Sequence, residues 1–365
     1  MRLPLVITGC LWLATPSVPA AGLDRPMIEL MLRGQRIEGA AMAWKSDEVL
    51  LLGRDGRLWQ FEPQEASEFR KSAERFSSLP ISELRATLLK ELGKGFDVSG
   101  TGHYVVAHPQ GQRDLWAQRF EDLYRSALVY FSVRGFRPQE PPFPLIGIVC
   151  RNQQEFQRYA AAQGMPVSRG ILGFYAPESN RIILYDVGGG RSDEKDWRQN
   201  ASVLIHEATH QTAFNTGIHS RFAHPPRWVA EGLATMFEAP GVYDSGKFRL
   251  QRERLNVGRL EDFQTGVLSK HSPELLMDVV ASDQLFRKAP GAAYAEAWAL
   301  TFYLVETRPQ KYFEYLGRTA RRAPFSTYTA AERKADFTDV FGSDLRMLEA
   351  QFVRYIRNLS PNQDR

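Results

Sequence analysis

Residues 197–214 read WRQNASVLIHEATHQTAF and contain the most informative motif of the chain, HEATH at 206–210. Its apolar residues recur at helical spacing, and Gly217 stands where such a helix would end. His206 and His210 are four residues apart, so a helix carries both imidazoles on one face. Glu207 follows His206 and projects beside that face. The stretch therefore predicts a helix that presents two neighbouring imidazoles with a carboxylate next to them.

Two imidazoles at this spacing can bind one metal ion, but a catalytic zinc site uses three protein ligands and leaves a fourth position for water. Residues 228–235, WVAEGLAT, predict a second helix downstream, after two prolines. Glu231 stands there among apolar residues, where an unpaired carboxylate would be costly to bury. We therefore predict one Zn²⁺ per chain, held by His206, His210 and Glu231, with Glu207 free to act as general base.

Two alternatives stay open at this point. Glu231 could be a surface residue of an amphipathic helix, with His206 and His210 hydrogen-bonded in the core. His219 and His224, in the segment between the two helices, are competing ligands, although that setting favours solvent-facing or wall positions for them.

These motifs resemble the gluzincins of the MA clan of peptidases, in which HExxH is followed by a glutamate on a later helix. Twenty residues separate His210 from Glu231, slightly more than in familiar members. The segment WVAEG at 228–232 is similar to the W-x-x-E-G segment of the aminopeptidase branch, and Glu238 falls where that branch has a further acidic residue. The resemblance implies zinc hydrolysis with Glu207 as base and Glu238 supporting the metal ligands.

A second segment carries the resemblance further. Residues 294–304, YAEAWALTFYL, are similar to the aminopeptidase segment whose leading tyrosine stabilises the oxyanion, which implies that role for Tyr294; a core aromatic is the alternative. The chain has no G-x-M-E-N-type sequence, the motif that holds a substrate's free amino end in aminopeptidases, so an endopeptidase is favoured. The resemblance covers about residues 173–304 and is closest to an exported bacterial branch of the clan.

The sequence predicts an α+β protein in which a small N-terminal β-module precedes a zincin-like domain with a mixed sheet and a mainly helical C-terminal half. Asp55-Gly56 indicates a hairpin in the β-module, and the charged stretch 62–78 predicts a linker or an exposed helix. The expected divisions are a signal peptide (1–21), the β-module with its linker (22–78), an α/β part (79–195) and a helical zinc-binding part (196–365).

Within the α/β part, periodicity predicts strands at 104–107 and 145–150 and helices at 115–133 and 153–163. Residues 173–175 and 181–185 predict a hairpin just before the HExxH helix. Gly173, Phe174 and Tyr175 could bind an extended substrate by strand addition, although an ordinary hairpin at the sheet edge fits the sequence equally well.

The first 21 residues predict an export signal, because a positive start and an apolar run precede small residues suited to cleavage. A lipoprotein is not favoured, since only nine residues precede Cys10. Cleavage would remove Cys10 and leave Cys150 without an intramolecular partner, which favours a bacterial periplasm or the exterior.

The charge and hydropathy of the sequence limit the kinds of partner that we expect. The net charge of +4 comes from 46 basic and 42 acidic residues spread along the chain, so nucleic acid is not an expected partner. Beyond the signal, no segment has the roughly 18 apolar residues needed to span a bilayer. We expect an exported zinc peptidase acting on peptides or proteins. The rival is a non-catalytic binding or structural protein stabilised by zinc, and the sequence does not indicate an oligomeric state.

Overall fold

The computed structural model describes residues 23–112, 115–188 and 194–361, and side chains within 194–199 are left out of the description. The predicted signal peptide lies outside the described residues. The described chain is an α+β protein with an N-terminal β-sheet, a second, mixed sheet and a helical C-terminal half.

The N-terminal sheet has five antiparallel strands in the order β4-β3-β2-β1-β5. The predicted hairpin is confirmed, because β3 and β4 pair on either side of Gly56, whose φ of +82° suits a glycine in a tight turn. The strands are β1 (Met27–Leu32), β2 (Gln35–Trp44), β3 (Val49–Gly53), β4 (Leu58–Phe61) and β5 (Ala66–Ala73).

The prediction of a linker or exposed helix at 62–78 is wrong, because this stretch contains β5, which pairs with β1. Almost every side chain of β5 is exposed, so the strand shows no alternation of apolar and polar residues. It is stabilised by backbone pairing and by cross-strand ion pairs instead: Arg70 Nη2 lies 2.7 Å from Glu29 Oε2, and Arg36 contacts the same carboxylate.

The second sheet has the order β6-β7-β8-β10-β9, with parallel pairing of β8 to both β7 and β10 and antiparallel pairing at both edges. The predicted hairpin is confirmed as β9 and β10, and β9 is an edge strand. The strands are β6 (Phe96–Gly100), β7 (Tyr104–Pro109), β8 (Leu145–Cys150), β9 (Gly173–Ala176) and β10 (Arg181–Tyr185).

Helices cover both faces of this sheet. On one face, α1 (Ile81–Leu92) and α3 (Gln153–Ala162) contribute Leu88 and Phe156 to a core with the sheet. On the other face, α2 (Leu115–Ser132) contributes Phe120. The HExxH helix α4 (Glu194–Asn215) contributes Leu204 to the same core. The sheet therefore anchors α4 through its apolar face.

The C-terminal half packs around α10, which is buried along most of its length. A Cβ at Gly232 would collide with the Ala297 carbonyl and the Thr301 hydroxyl, so this glycine lets α5 lie directly against α10. The helices are α5 (Arg227–Phe237), α6 (Pro240–Tyr243), α7 (Val257–Asp262), α8 (Pro273–Ala281), α9 (Gln284–Lys288), α10 (Pro290–Thr307), α11 (Pro309–Ala320), α12 (Ala330–Phe341) and α13 (Leu345–Arg357). No helix in the described part of the chain is long and apolar enough to cross a membrane.

Candidate metal site

Helices α4 and α5 bring three candidate ligands together. His206 and His210 lie one turn apart on the same face of α4, and their Nε2 atoms are 3.2 Å apart. Glu231 projects from α5, and its Oε2 lies 3.4 Å from Nε2 of His206 and 3.5 Å from Nε2 of His210. The three donor atoms therefore form a nearly equilateral triangle, which we call the ligand triangle.

The size of the ligand triangle fits a metal ion. Donor atoms placed about 2.0–2.1 Å from a tetrahedral zinc ion are separated from one another by about 3.3–3.4 Å. Glu231 Oε2 is buried and has no regular hydrogen-bond partner among the described residues, although buried acceptors normally have one. The donor set and its spacing match one face of a tetrahedron, so His206, His210 and Glu231 could hold a metal ion.

The electrostatics of the ligand triangle favour a positive charge at its centre. Burial alone lowers the pKa of His206, but the adjacent carboxylate of Glu231 and the hydrogen bond to Glu238 outweigh it and raise the pKa to about 10. Burial alone raises the pKa of Glu231, yet the imidazoles of His206 and His210, in contact with its carboxylate, hold that pKa well below its ordinary value. A cation at this point is therefore stabilised by its surroundings.

Glu238 fixes the orientation of one imidazole. Its Oε1 lies 2.7 Å from Nδ1 of His206, and its Oε2 accepts a hydrogen bond of 2.8 Å from Nδ2 of Asn256. Because Nδ1 is held in this way, Nε2 of His206 points at Glu231 and His210. A carboxylate behind a histidine is a common arrangement in metal sites, where it sets the tautomer and the ring orientation.

Glu207 is not part of the ligand triangle. Its Oε2 accepts a hydrogen bond of 2.8 Å from the backbone N–H of Tyr175 on β9. The carboxylate is half-buried and lies at the edge of the sheet, next to the first histidine. It is therefore placed between the candidate metal ligands and the edge strand.

Tyr294 reaches the ligand triangle from α10. Its ring centroid is 6.4 Å from that of His206, and its hydroxyl lies beside Glu231 and Arg227. The ring lies between Phe286, with centroids 5.5 Å apart, and the guanidinium of Arg259, which is 5.4 Å from the ring centroid. Burial, together with the negative charge of Glu231, raises the pKa of Tyr294 to about 12, so the hydroxyl is protonated at neutral pH.

The predicted substrate-binding residues lie on the edge strand, with their side chains turned into the protein. Phe174 packs on Phe156, and Tyr175 stacks on Phe214 with its hydroxyl donating to Asn180. A Cβ at Gly173 would come within 2.8 Å of Leu184 and equally close to α4, so this glycine permits close packing of β9. Any contact with a ligand here is made by backbone atoms.

The two competing histidines lie outside the ligand triangle. His224 is exposed, whereas His219 is 2% exposed and lines a cleft of about 780 Å³. The cleft begins one helical turn beyond His210, at Phe214, and separates the N-terminal sheet from the helices. Burial and the nearby His210 lower the pKa of His219 to about 3, which keeps its imidazole neutral.

Sequence reasoning missed Arg227 and Asn256. Arg227 Nε lies 3.4 Å from Glu231 Oε1, four residues along the same helix. That spacing brings opposite charges together on a helix, so the Arg-x-x-x-Glu pattern could have indicated the pair. No local pattern could have indicated Asn256, because it reaches Glu238 across a long connection.

The fold and the site together define an α+β protein with a His-His-Glu group that could hold a metal ion. Residues 200–326, which include the ligand triangle and Tyr294, match the family described as a protein of unknown function (DUF1570). No curated protein matches the chain.

Among solved structures, the chain is similar to the catalytic module of the metalloprotease ZmpA from Clostridium perfringens. The identity is 12%, the TM-score is 0.38, and the similarity covers 92% of this chain and 69% of that chain. Similarity at this level says nothing about the site, so the function is inferred from the residues themselves.

Proposed function

We propose that the chain is an exported zinc-dependent peptidase of the gluzincin type that hydrolyses internal peptide bonds. The ligand triangle carries the proposal, because its three donor atoms have the types and the spacing that a catalytic zinc site requires. The proposal of export is based on the N-terminal sequence. The proposal of an endopeptidase is based on the absence of a G-x-M-E-N-type motif from the sequence. We also propose residues 22–78, 79–195 and 196–365 as the divisions of the mature chain.

Zinc at this site would polarise a peptide carbonyl and lower the pKa of a water molecule to about 7. Glu207 would take the proton from that water and later pass it to the leaving amine, since it lies beside the ligand triangle without belonging to it. Tyr294 would donate a hydrogen bond to the oxyanion that develops on the substrate carbonyl.

The edge strand offers a place for the substrate backbone. In an antiparallel pair, alternate residues turn their N–H and C=O groups towards the neighbouring strand. The N–H of Tyr175 turns to Glu207 and away from β10, so Gly173, two residues earlier, also turns its backbone groups outward. An extended peptide added to this edge would lie next to Glu207. This arrangement supports a peptide as the substrate.

The test compares wild type with Glu207→Gln, which keeps size and hydrogen bonding but removes the base. Both are loaded to equal zinc content and incubated with a broad peptide library, and products are identified by mass spectrometry. Glu314→Gln, an exposed change on α11, is the matched control. We expect wild type and the control to cleave peptides at similar rates, and Glu207→Gln to lose most of this activity.

Equal cleavage by Glu207→Gln would show that the proposed base is wrong. If the zinc-loaded wild type cleaves no peptide in the library, the peptidase proposal fails and a non-catalytic, zinc-stabilised binding protein becomes the better account.

A further inference from the structure

Arg227 is a half-exposed cation at the rim of the ligand triangle. It is the first residue of α5, and its Nε points at Oε1 of Glu231, the carboxylate oxygen that does not face the histidines. The side chain is 44% exposed, and its guanidinium lies 4.7 Å from the ring centroid of Phe286. The side chain therefore has a fixed location beside the site.

The contact divides the two oxygens of Glu231 between different partners. Oε1 lies near Arg227, whereas Oε2 lies near both imidazoles. Without Arg227, the carboxylate could rotate until both oxygens faced the histidines. Both oxygens would then occupy coordination positions, although hydrolysis requires one position to remain open for water.

The same side chain also reaches the candidate oxyanion donor. Arg227 also lies beside the hydroxyl of Tyr294, which comes from α10. Phe286 contacts both residues, since its ring lies under Arg227 and edge-on to Tyr294. Arg227 thus ties a candidate metal ligand on one helix to a candidate catalytic hydroxyl on another.

Helix stability gives little reason for an arginine at this position, because an i, i+4 pair with the cation N-terminal to the carboxylate stabilises a helix only slightly. The positive end of the helix dipole lies at the N-terminus, so a cation in the first turn is unfavourable there. Arg227 also has a backbone contact, in which its N–H donates to Oδ1 of Asp283 at 3.0 Å. Any residue other than proline could make this contact, so it does not explain the arginine side chain. The side chain is therefore explained better by what it does at the site.

We propose that Arg227 is a positioning residue that commits Glu231 to coordination through one oxygen and holds the Tyr294 hydroxyl towards the reacting carbonyl. The proposal rests on the metal site proposed above. Arginine suits the task because its planar guanidinium presents several fixed donors, so one side chain serves two acceptors at defined angles. Lysine, with a flexible stem and a single ammonium group, would serve the two acceptors less well.

The diagnostic measurement is the coordination number of the metal, read from the visible absorption of the full-length protein loaded with Co²⁺. Metal affinity is a poor readout here, because removing Arg227 removes a repelling charge and an orienting contact, which act in opposite directions. We expect a strong four-coordinate spectrum for wild type and a weaker, five-coordinate spectrum for Arg227→Gln, with Arg227→Lys between them. Arg346→Gln, an exposed change on α13, is the control and should match wild type.

Steady-state kinetics of the zinc-loaded proteins give a second readout. We expect Arg227→Gln to lower kcat and to leave KM nearly unchanged. The decrease in kcat should be smaller than the hundredfold to thousandfold decrease that typically follows loss of an oxyanion donor. A spectrum and a kcat equal to wild type would overturn the role of Arg227 and leave the metal site intact. Failure of wild type to bind Co²⁺ at all would instead overturn the site, and this inference with it.

Discussion

Replacing Glu238 tests how the ligand triangle is held in place. In Glu238→Ala, His206 loses its 2.7 Å contact at Nδ1, and Asn256 loses its 2.8 Å acceptor. The imidazole can then rotate or adopt the other tautomer, so it is no longer organised for a metal ion before binding.

The size of the effect follows from the role of such a partner. Loss of a group that orients a metal ligand typically weakens metal binding by about 10- to 100-fold, which corresponds to about 1.4–2.7 kcal/mol. Glu238→Gln should weaken zinc binding less than Glu238→Ala does, because an amide oxygen carries no charge but still accepts a hydrogen bond from Nδ1. Asn256→Ala should weaken zinc binding least, since Asn256 contacts Glu238 and not His206; it also removes the N-cap of α7, so its stability is compared separately.

The assay is a competition titration against a chromophoric zinc chelator at constant pH, with thermal unfolding of the metal-free proteins as a check on folding. The expected order of zinc affinity is wild type, Asn256→Ala, Glu238→Gln and Glu238→Ala. Unchanged affinity in Glu238→Ala, with the fold intact, would show that the contact with His206 has no part in holding a metal ion.

Three further predictions concern the chemistry, the packing and the covalent state. Tyr294→Phe should keep its zinc and its fold but lower kcat by about a hundredfold to a thousandfold, measured by steady-state peptide hydrolysis; an unchanged kcat would exclude the oxyanion role. Gly232→Ala forces a methyl group against Ala297 and Thr301, so thermal unfolding should show that the free energy of unfolding falls by about 1–3 kcal/mol. A variant as stable as wild type would contradict the close packing of α5 on α10. A zinc chelator should lower the unfolding temperature whereas a reductant should not, because Cys150 is a buried, free thiol; a large loss with reductant alone would reveal an intermolecular disulfide.

The elements that carry the site could be predicted because their signals are local. The spacing of His206 and His210 indicates a helix and a shared face, and α4 extends over the predicted residues. The second helix and the β9–β10 hairpin were likewise indicated by apolar periodicity and turn residues. Glu231 could be selected as the third candidate ligand because an unpaired carboxylate is out of place among apolar neighbours.

What could not be predicted depends on contacts between distant segments. The i, i+4 spacing can indicate the contact of Arg227 with Glu231. The contact with Tyr294 requires α5 and α10 to lie side by side, and nothing near Arg227 in the sequence indicates that. Strand β5 was missed for a different reason: both its faces are exposed, so its pairing with β1 left no periodic signal. A periodic pattern of apolar residues arises in elements that bury one face. It is absent from elements that are stabilised by backbone pairing or ion pairs instead.

Whether the ligand triangle binds zinc is decided by the zinc content of the purified mature protein and of its ligand variants, determined by elemental analysis after dialysis. We expect about one zinc per chain in wild type, loss of zinc in His206→Ala, His210→Ala and Glu231→Ala, and full retention in His224→Ala, which removes an exposed histidine outside the ligand triangle. Equal zinc in wild type and the three ligand variants, or its loss in His224→Ala alone, would contradict the proposed zinc site.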